Sequence, residues 1–348
     1  MMKAAVIVGE KKMEIQNFPK PQPNGKDVIM KVQTVGVCGS DIHMWELGGN
    51  PGYTGLRPGH EHVGIVVDPG SRTDLKVGDR ITTIPVSAHC GECPACLEAR
   101  FDACQNRIKG VGNFADGPAG TYAEYFITSP HLVRRIPDGM TNEEGAMVEP
   151  CATPYSAVKD LGITRGHKVL VFGGGIIGSF AAQWAKYFGA DYVGMVEVNE
   201  FRGKKNLEDG NIDELFDGKD PDLVKKLLAV TGGKGFDFIL ECTGQSAPLN
   251  TGIMVSKMYA RIACIGVSSH PILFNNIVAL FKRARLQFYL CYTNDEFDEV
   301  IQIIAAKKFD VLRHYSADCK LEEVEDIFKE LTDPNCKKVK VMMQMPRD

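Results

Sequence analysis

The stretch Val169-Leu170-Val171-Phe172-Gly173-Gly174-Gly175-Ile176-Ile177-Gly178 decides how this chain reads. Its four leading apolar residues predict a buried parallel strand. Gly173, Gly175 and Gly178 follow at the G-x-G-x-x-G spacing. Ile177, Phe180, Ala181, Trp184, Ala185 and Phe188 then recur at helical intervals up to a stop at Gly189. Strand, glycine turn and helix together are the setting in which this spacing means dinucleotide binding. The first glycine allows the tight turn and the second lets backbone approach a pyrophosphate. The third lets helix and strand pack closely, and the free N–H groups of the helix start face the anion. Gly173, Gly175 and Gly178 are therefore expected to line the cofactor.

Downstream, Glu197 closes the next apolar run, Tyr192–Val196. A carboxylate there suits ribose hydroxyls and repels a 2′-phosphate by roughly 4 kcal/mol per charge pair at about 4 Å and an effective dielectric near 20. NAD is favoured over NADP on that ground, with Arg202 close enough in sequence to offset part of the repulsion. A helical segment near Pro221–Val230 and apolar runs at Phe236–Leu240 and Ala260–Ile265 continue the strand–helix alternation of a parallel doubly wound sheet. The charged stretch Lys204–Asp222 reads as solvated surface. Met254, Met258 and Tyr259 read as ordinary core or interface residues.

Upstream the pattern changes. Ala4–Val8, Val28–Val35, Val63–Val67, Arg80–Ile84 and Gly120–Ile127 are β-like, joined by long loops, with no extended helical period. Cys90, Cys93, Cys96 and Cys104 fall at C-x2-C-x2-C-x7-C. Four thiolates this close can surround one tetrahedral Zn²⁺ with no position left for substrate, which makes the site structural; a disulfide pair is the alternative. Past Leu290, helices are predicted at Asp295–Ala306 and Leu321–Leu331, and a strand near Lys338–Gln344.

Bulk properties bound the rest. The chain has 348 residues, enough for two domains. Its net charge of −4 argues against nucleic-acid or anionic-membrane partners, and no apolar run reaches spanning length. Eleven cysteines without a leader-like pattern point to a reducing compartment, so a cytoplasmic location is expected.

Cys38, His60, Glu61 and Glu149 all sit beside turns. A catalytic zinc takes three protein ligands and keeps one position open. The residues alone do not choose between that grouping and the ordinary alternatives, a packed thiol at 38 and a hydrogen-bonded histidine at 60. His62 reads as a strand residue facing a polar neighbour, and Cys151 as a packed thiol.

Over nearly its whole length the chain resembles the zinc-dependent medium-chain dehydrogenases of the polyol and threonine dehydrogenase branch. The resemblance rests on Cys38-Gly39-Ser40-Asp41-Ile42-His43, Gly59-His60-Glu61, the four-cysteine lobe, Glu149-Pro150, the glycine turn with Glu197, and Glu241-Cys242-Thr243-Gly244. It implies an α/β architecture, with a GroES-like β-rich catalytic domain over 1–152 and 291–348 and a Rossmann dinucleotide domain over 153–290. It implies two Zn²⁺ per subunit: a structural ion on Cys90, Cys93, Cys96 and Cys104, and a catalytic one on Cys38 and His60 with Glu61 or Glu149. It implies that Ser40 takes the substrate proton, that His43 passes it to solvent, and that Ile176, Ile177, Glu197, Arg202, Cys242, Ile265, Gly266, Val267 and Leu290 lie near the cofactor. The expected reaction is hydride transfer between NAD and a secondary alcohol, of polyol or sugar type, in a homodimer or homotetramer. Two alternatives stay open: an L-threonine 3-dehydrogenase, and a non-catalytic nucleotide-binding protein. An arginine expected in the polyol branch near position 291 is replaced by Cys291, which counts against a sorbitol-like substrate.

Overall fold

The computed structural model describes residues 1–85, 90–98, 100, 103–106 and 120–346. Its contacts fall into two compact units, Met1–Glu149 with Thr293–Asp348, and Pro150–Tyr292. No helix among the described residues is long and apolar enough to cross a membrane.

The first unit is β-rich. Met2–Gly9 and Lys12–Phe18 form an antiparallel hairpin. A seven-stranded sheet runs Tyr315–Cys319, Lys340–Gln344, Val28–Gly36, Glu61–Asp68, Arg80–Thr83 and Val133–Arg135, with Tyr125–Thr128 also paired to Val28–Gly36. Strand Val28–Gly36 is buried almost throughout, as its near-continuous apolar sequence requires. It holds Glu61–Asp68 on one side and Lys340–Gln344 on the other, so Gly36 stands opposite both Glu61 and Met342. Val28, Met30, Ile81, Phe126, Phe328 and Val341 belong to the core beneath.

The second unit carries six parallel strands. In chain order they are Lys168–Phe172, Tyr192–Glu197, Glu214–Asp217, Phe236–Glu241, Ser256–Cys264 and Arg285–Phe288; in space they lie third, second, first, fourth, fifth, sixth. That is the doubly wound order, whose direction reverses between Lys168–Phe172 and Phe236–Glu241. Phe172, Leu227, Ile239, Ile253 and Ile262 are buried in its core.

Three segments differ from the sequence expectation. An eight-residue helix, Gly39–Glu46, follows Cys38 where only loops were expected. Gly-Ser-Asp reads locally as a turn, but here Asp41 folds back to accept from Cys38 N at 3.3 Å and caps the helix start. The charged stretch is not all surface. It contains most of helix Glu200–Glu208, with Gly203 and Asn206 buried, and edge strand Glu214–Asp217, whose Phe216 enters the core. Met254, Met258 and Tyr259 are exposed, so none is a core residue of this chain.

Candidate metal and cofactor sites

In the cysteine lobe a single helical turn, Pro94–Leu97, follows Cys93 and turns Cys96 back toward it. Sulfur–sulfur distances are 3.8 Å for Cys90–Cys96, 3.4 Å for Cys93–Cys96, 3.9 Å for Cys93–Cys104 and 3.7 Å for Cys104–Cys90. A tetrahedron with metal–sulfur bonds of about 2.3 Å has edges near 3.8 Å, while a disulfide needs about 2.05 Å. The donor set therefore fits a closed zinc site and no disulfide. Backbone N–H groups of Gln105 and Cys96 lower the Cys93 thiol to about 6, favouring the thiolate a metal requires.

The second cluster is assembled from two elements. Cys38 ends the run from strand Val28–Gly36 at the helix N-cap, while His60 and Glu61 open strand Glu61–Asp68. One ligand atom from each of Cys38, His60 and Glu61 lies within 4.8 Å of the other two. Glu149, buried as the second residue of helix Val148–Leu161, stands outside this trio. Glu61 directs Oε2 to the ammonium of Lys340, and both side chains are fully buried. Its Oε1 is buried with no partner among the described residues, the signature of an acceptor reserved for something else. A thiolate, an imidazole and that oxygen fit a zinc with an open position.

Asp41 orients the histidine. It is fully buried, with Oδ1 3.4 Å from His60 Nδ1 and accepting from Gly59 N at 3.0 Å, and with Oδ2 accepting from Tyr122 Oη at 2.8 Å. Burial raises the Asp41 pKa, but the facing His60 and the donors outweigh it and hold the carboxyl below its ordinary value. Asp41 Oδ1 thus faces the Nδ1 side of the ring, the arrangement in which a carboxylate orients a metal-binding imidazole. Ser40 donates to Cys38 Sγ at 3.3 Å. His43 Nδ1, three residues along the same helix, is buried with no partner among the described residues. His62 does not join the cluster: its ring contacts His60 O at 3.2 Å and Thr83 Oγ1 at 3.1 Å, and burial lowers it to about 3, so it stays neutral.

In the second unit, the turn after Phe172 uses Gly173 at φ +95°, and a Cβ at Gly178 would collide with the Gly173 carbonyl. Helix Ile176–Tyr187 starts with no side-chain cap, which leaves its first N–H groups for an anion. Glu197 accepts through Oε1 from Val198 N at 2.6 Å and Asn199 N at 2.8 Å, and through Oε2 from Gly174 N. Arg202 Nε is buried with no partner among the described residues.

Glu241 ties the next two strand ends together. Its carboxylate takes Thr243 N at 2.7 Å, Thr243 Oγ1, and Gly244 N at 3.1 Å, while its backbone carbonyl takes Ile265 N at 2.8 Å and Gly266 N at 3.0 Å. Cys242 N is held by Phe172 O at 3.0 Å. The ends of the first, fourth and fifth strands, carrying Gly173, Cys242, Ile265 and Gly266, are thus locked at the reversal point. Val267 and Leu290 are exposed beyond them.

Asp41, Tyr122, Lys340 and the role of Glu241 escape the sequence. Asp41 had a local signal, one helical turn from Cys38. Tyr122 and Lys340 had none, being ordinary residues of β-like runs.

Residues 24–138 match the alcohol dehydrogenase GroES-like domain, and residues 177–306 match the zinc-binding dehydrogenase family. A sorbitol dehydrogenase of Halalkalibacterium halodurans is 34% identical over 258 residues, 74% of each chain. The chain belongs to the zinc-dependent medium-chain dehydrogenases. Among solved dehydrogenases, 2R,3R-butanediol dehydrogenase from Bacillus subtilis superposes with a TM-score of 0.85 at 25% identity over 100% of both chains. A Sinorhizobium meliloti protein of the same fold, solved with NADP, gives 0.86 at 25% identity over 99% of both. As an alcohol or polyol dehydrogenase of this family, the protein works with zinc and a nicotinamide cofactor.

Proposed function

We propose that this dehydrogenase transfers a hydride between NAD and a secondary hydroxyl of a polyol, sugar or sugar derivative. The carrying observation is the Ser40 hydroxyl, 3.3 Å from Cys38 Sγ. It puts a proton acceptor beside the trio Cys38, His60 and Glu61, which would hold the catalytic zinc. Glu149 is assigned no direct bond. Bound there, zinc supplies a Lewis acid that polarises the substrate oxygen. Ser40 would accept the hydroxyl proton while releasing its own, and His43, whose Nδ1 has no partner among the described residues, would take up the released proton and pass it to solvent. Gly173, Gly175, Ile176, Ile177 and Gly178 cradle the pyrophosphate, while Cys242, Ile265 and Gly266 order the reversal point. Val267 and Leu290 are assigned to the nicotinamide end.

For the cofactor, the Glu197 carboxylate supports NAD through repulsion of a 2′-phosphate. The named activities of the relatives support a polyol or diol. NADH formation against polyols, sugar acids and threonine, repeated with NADP, tests this: a preference for threonine, or equal use of NADP, would overturn it.

A homodimer is the proposed assembly. Among the described residues, edge strand Arg285–Phe288 pairs on one side only, and Leu280, Phe281, Phe288 and Leu290 around it are each more than two-thirds exposed. An unpaired strand edge flanked by these exposed apolar side chains favours pairing with a second copy about a twofold axis. Sedimentation of Phe281→Glu should show monomer where wild type shows dimer. Eleven cysteines, none of them in a disulfide, support a reducing, cytoplasmic setting.

A further inference from the structure

We infer that Lys340 is a positioning residue of the catalytic metal site, restraining Glu61 so that only one carboxylate oxygen faces the metal. This rests on the reading of Cys38, His60 and Glu61 as zinc ligands.

Lys340 and Glu61 are paired with both side chains at 0% exposure. Burying two charges is costly, and a well-packed apolar pair would do as well for stability, so such a pair calls for a role beyond packing. The same ammonium donates to Val37 O at 2.9 Å. It therefore touches the residue before Cys38 and the residue after His60 at once. Space for it comes from Gly36, where a Cβ would collide with Glu61 Oε2 and stand 3.0 Å from Lys340 Cε.

The pairing divides the carboxylate: Oε2 belongs to Lys340, and Oε1 is buried with no partner among the described residues. Glu61 can then offer one oxygen, from a fixed position and with its charge balanced by the ammonium. Without Lys340, the anion would be left unpaired in the metal-free protein and drawn fully to a dication when one binds. Metal-free and metal-loaded forms should thus respond differently to loss of the lysine. A purely structural ion pair would affect both forms alike.

The test uses full-length protein, stripped by mild chelation to one zinc per chain and refilled with zinc alone. The melting-temperature rise on refilling is measured. In Lys340→Met it should exceed the wild-type rise by roughly 5 °C. In Lys340→Met/Glu61→Gln, which removes the stranded charge, it should return to the wild-type value or below. An equal or smaller rise in the single variant overturns the inference. If Lys340→Met does not fold without zinc, the double variant must fold; should it fail as well, Lys340 serves packing only. If wild type never holds a second zinc, the underlying assignment of the trio fails instead, and metal content reports that directly.

Discussion

The two candidate metal clusters of the first unit are built in opposite ways. The cysteine lobe draws all four ligands from fifteen consecutive residues, 90–104, and its sulfur atoms already sit near tetrahedral spacing. The Cys38 cluster spans two strands, and its supports come from further off: Tyr122 behind Asp41, and Lys340 behind Glu61. A closed set of thiolates uses every coordination position for bracing. An open trio leaves a position for chemistry and needs neighbours to hold its ligands still.

Cys38→Ser separates the two most sharply. Turnover should fall by about a thousandfold or more, roughly 4 kcal/mol of lost transition-state stabilisation, while the melting temperature moves little. Cys93→Ser should do the reverse. A loss of about 3 kcal/mol is expected in thermal or urea unfolding, with one zinc gone by metal analysis. If both variants lost stability equally, the division of labour between the clusters would be wrong.

Tyr122→Phe acts at second hand. It removes the 2.8 Å bond to Asp41 Oδ2 and should weaken zinc retention about tenfold in chelator competition, with the cysteine-lobe zinc untouched. His62→Gln should have the smallest effect, less than about threefold in kcat with both zincs retained, because His62 spends its ring on Thr83 and a carbonyl. Loss of a zinc in that variant would make His62 a ligand after all.

What the sequence discloses follows the same divide. The cysteine lobe and the glycine turn are contiguous, so their spacing carries their geometry. The strand–helix alternation of the second unit likewise exposes its parallel sheet. Asp41 is quoted within a motif, yet its grip on His60 depends on a helix that Gly39-Ser40-Asp41 hides as a turn. Tyr122, just before strand Tyr125–Thr128, and Lys340, at the start of the last strand, lie far from the motif in sequence, and nothing nearby marks a buried lysine as one that will find a carboxylate 279 residues away. The segment over 204–222 misleads for another reason: exposed charges mask the buried Asn206 and Phe216. Ile277, Leu280 and Phe281 show the converse, an apolar helix that meets solvent in the single chain.

The first unit is discontinuous, with Thr293–Asp348 completing a sheet begun by Met1–Glu149. A ribosome working at about 5–20 residues per second makes Lys340 some 14–60 s after Glu61. The whole intervening nucleotide unit can fold in that interval, while the carboxylate waits in a half-built sheet without its counter-charge. Nascent chains arrested before the last strand should therefore be open to proteolysis in the first unit and resistant in the second.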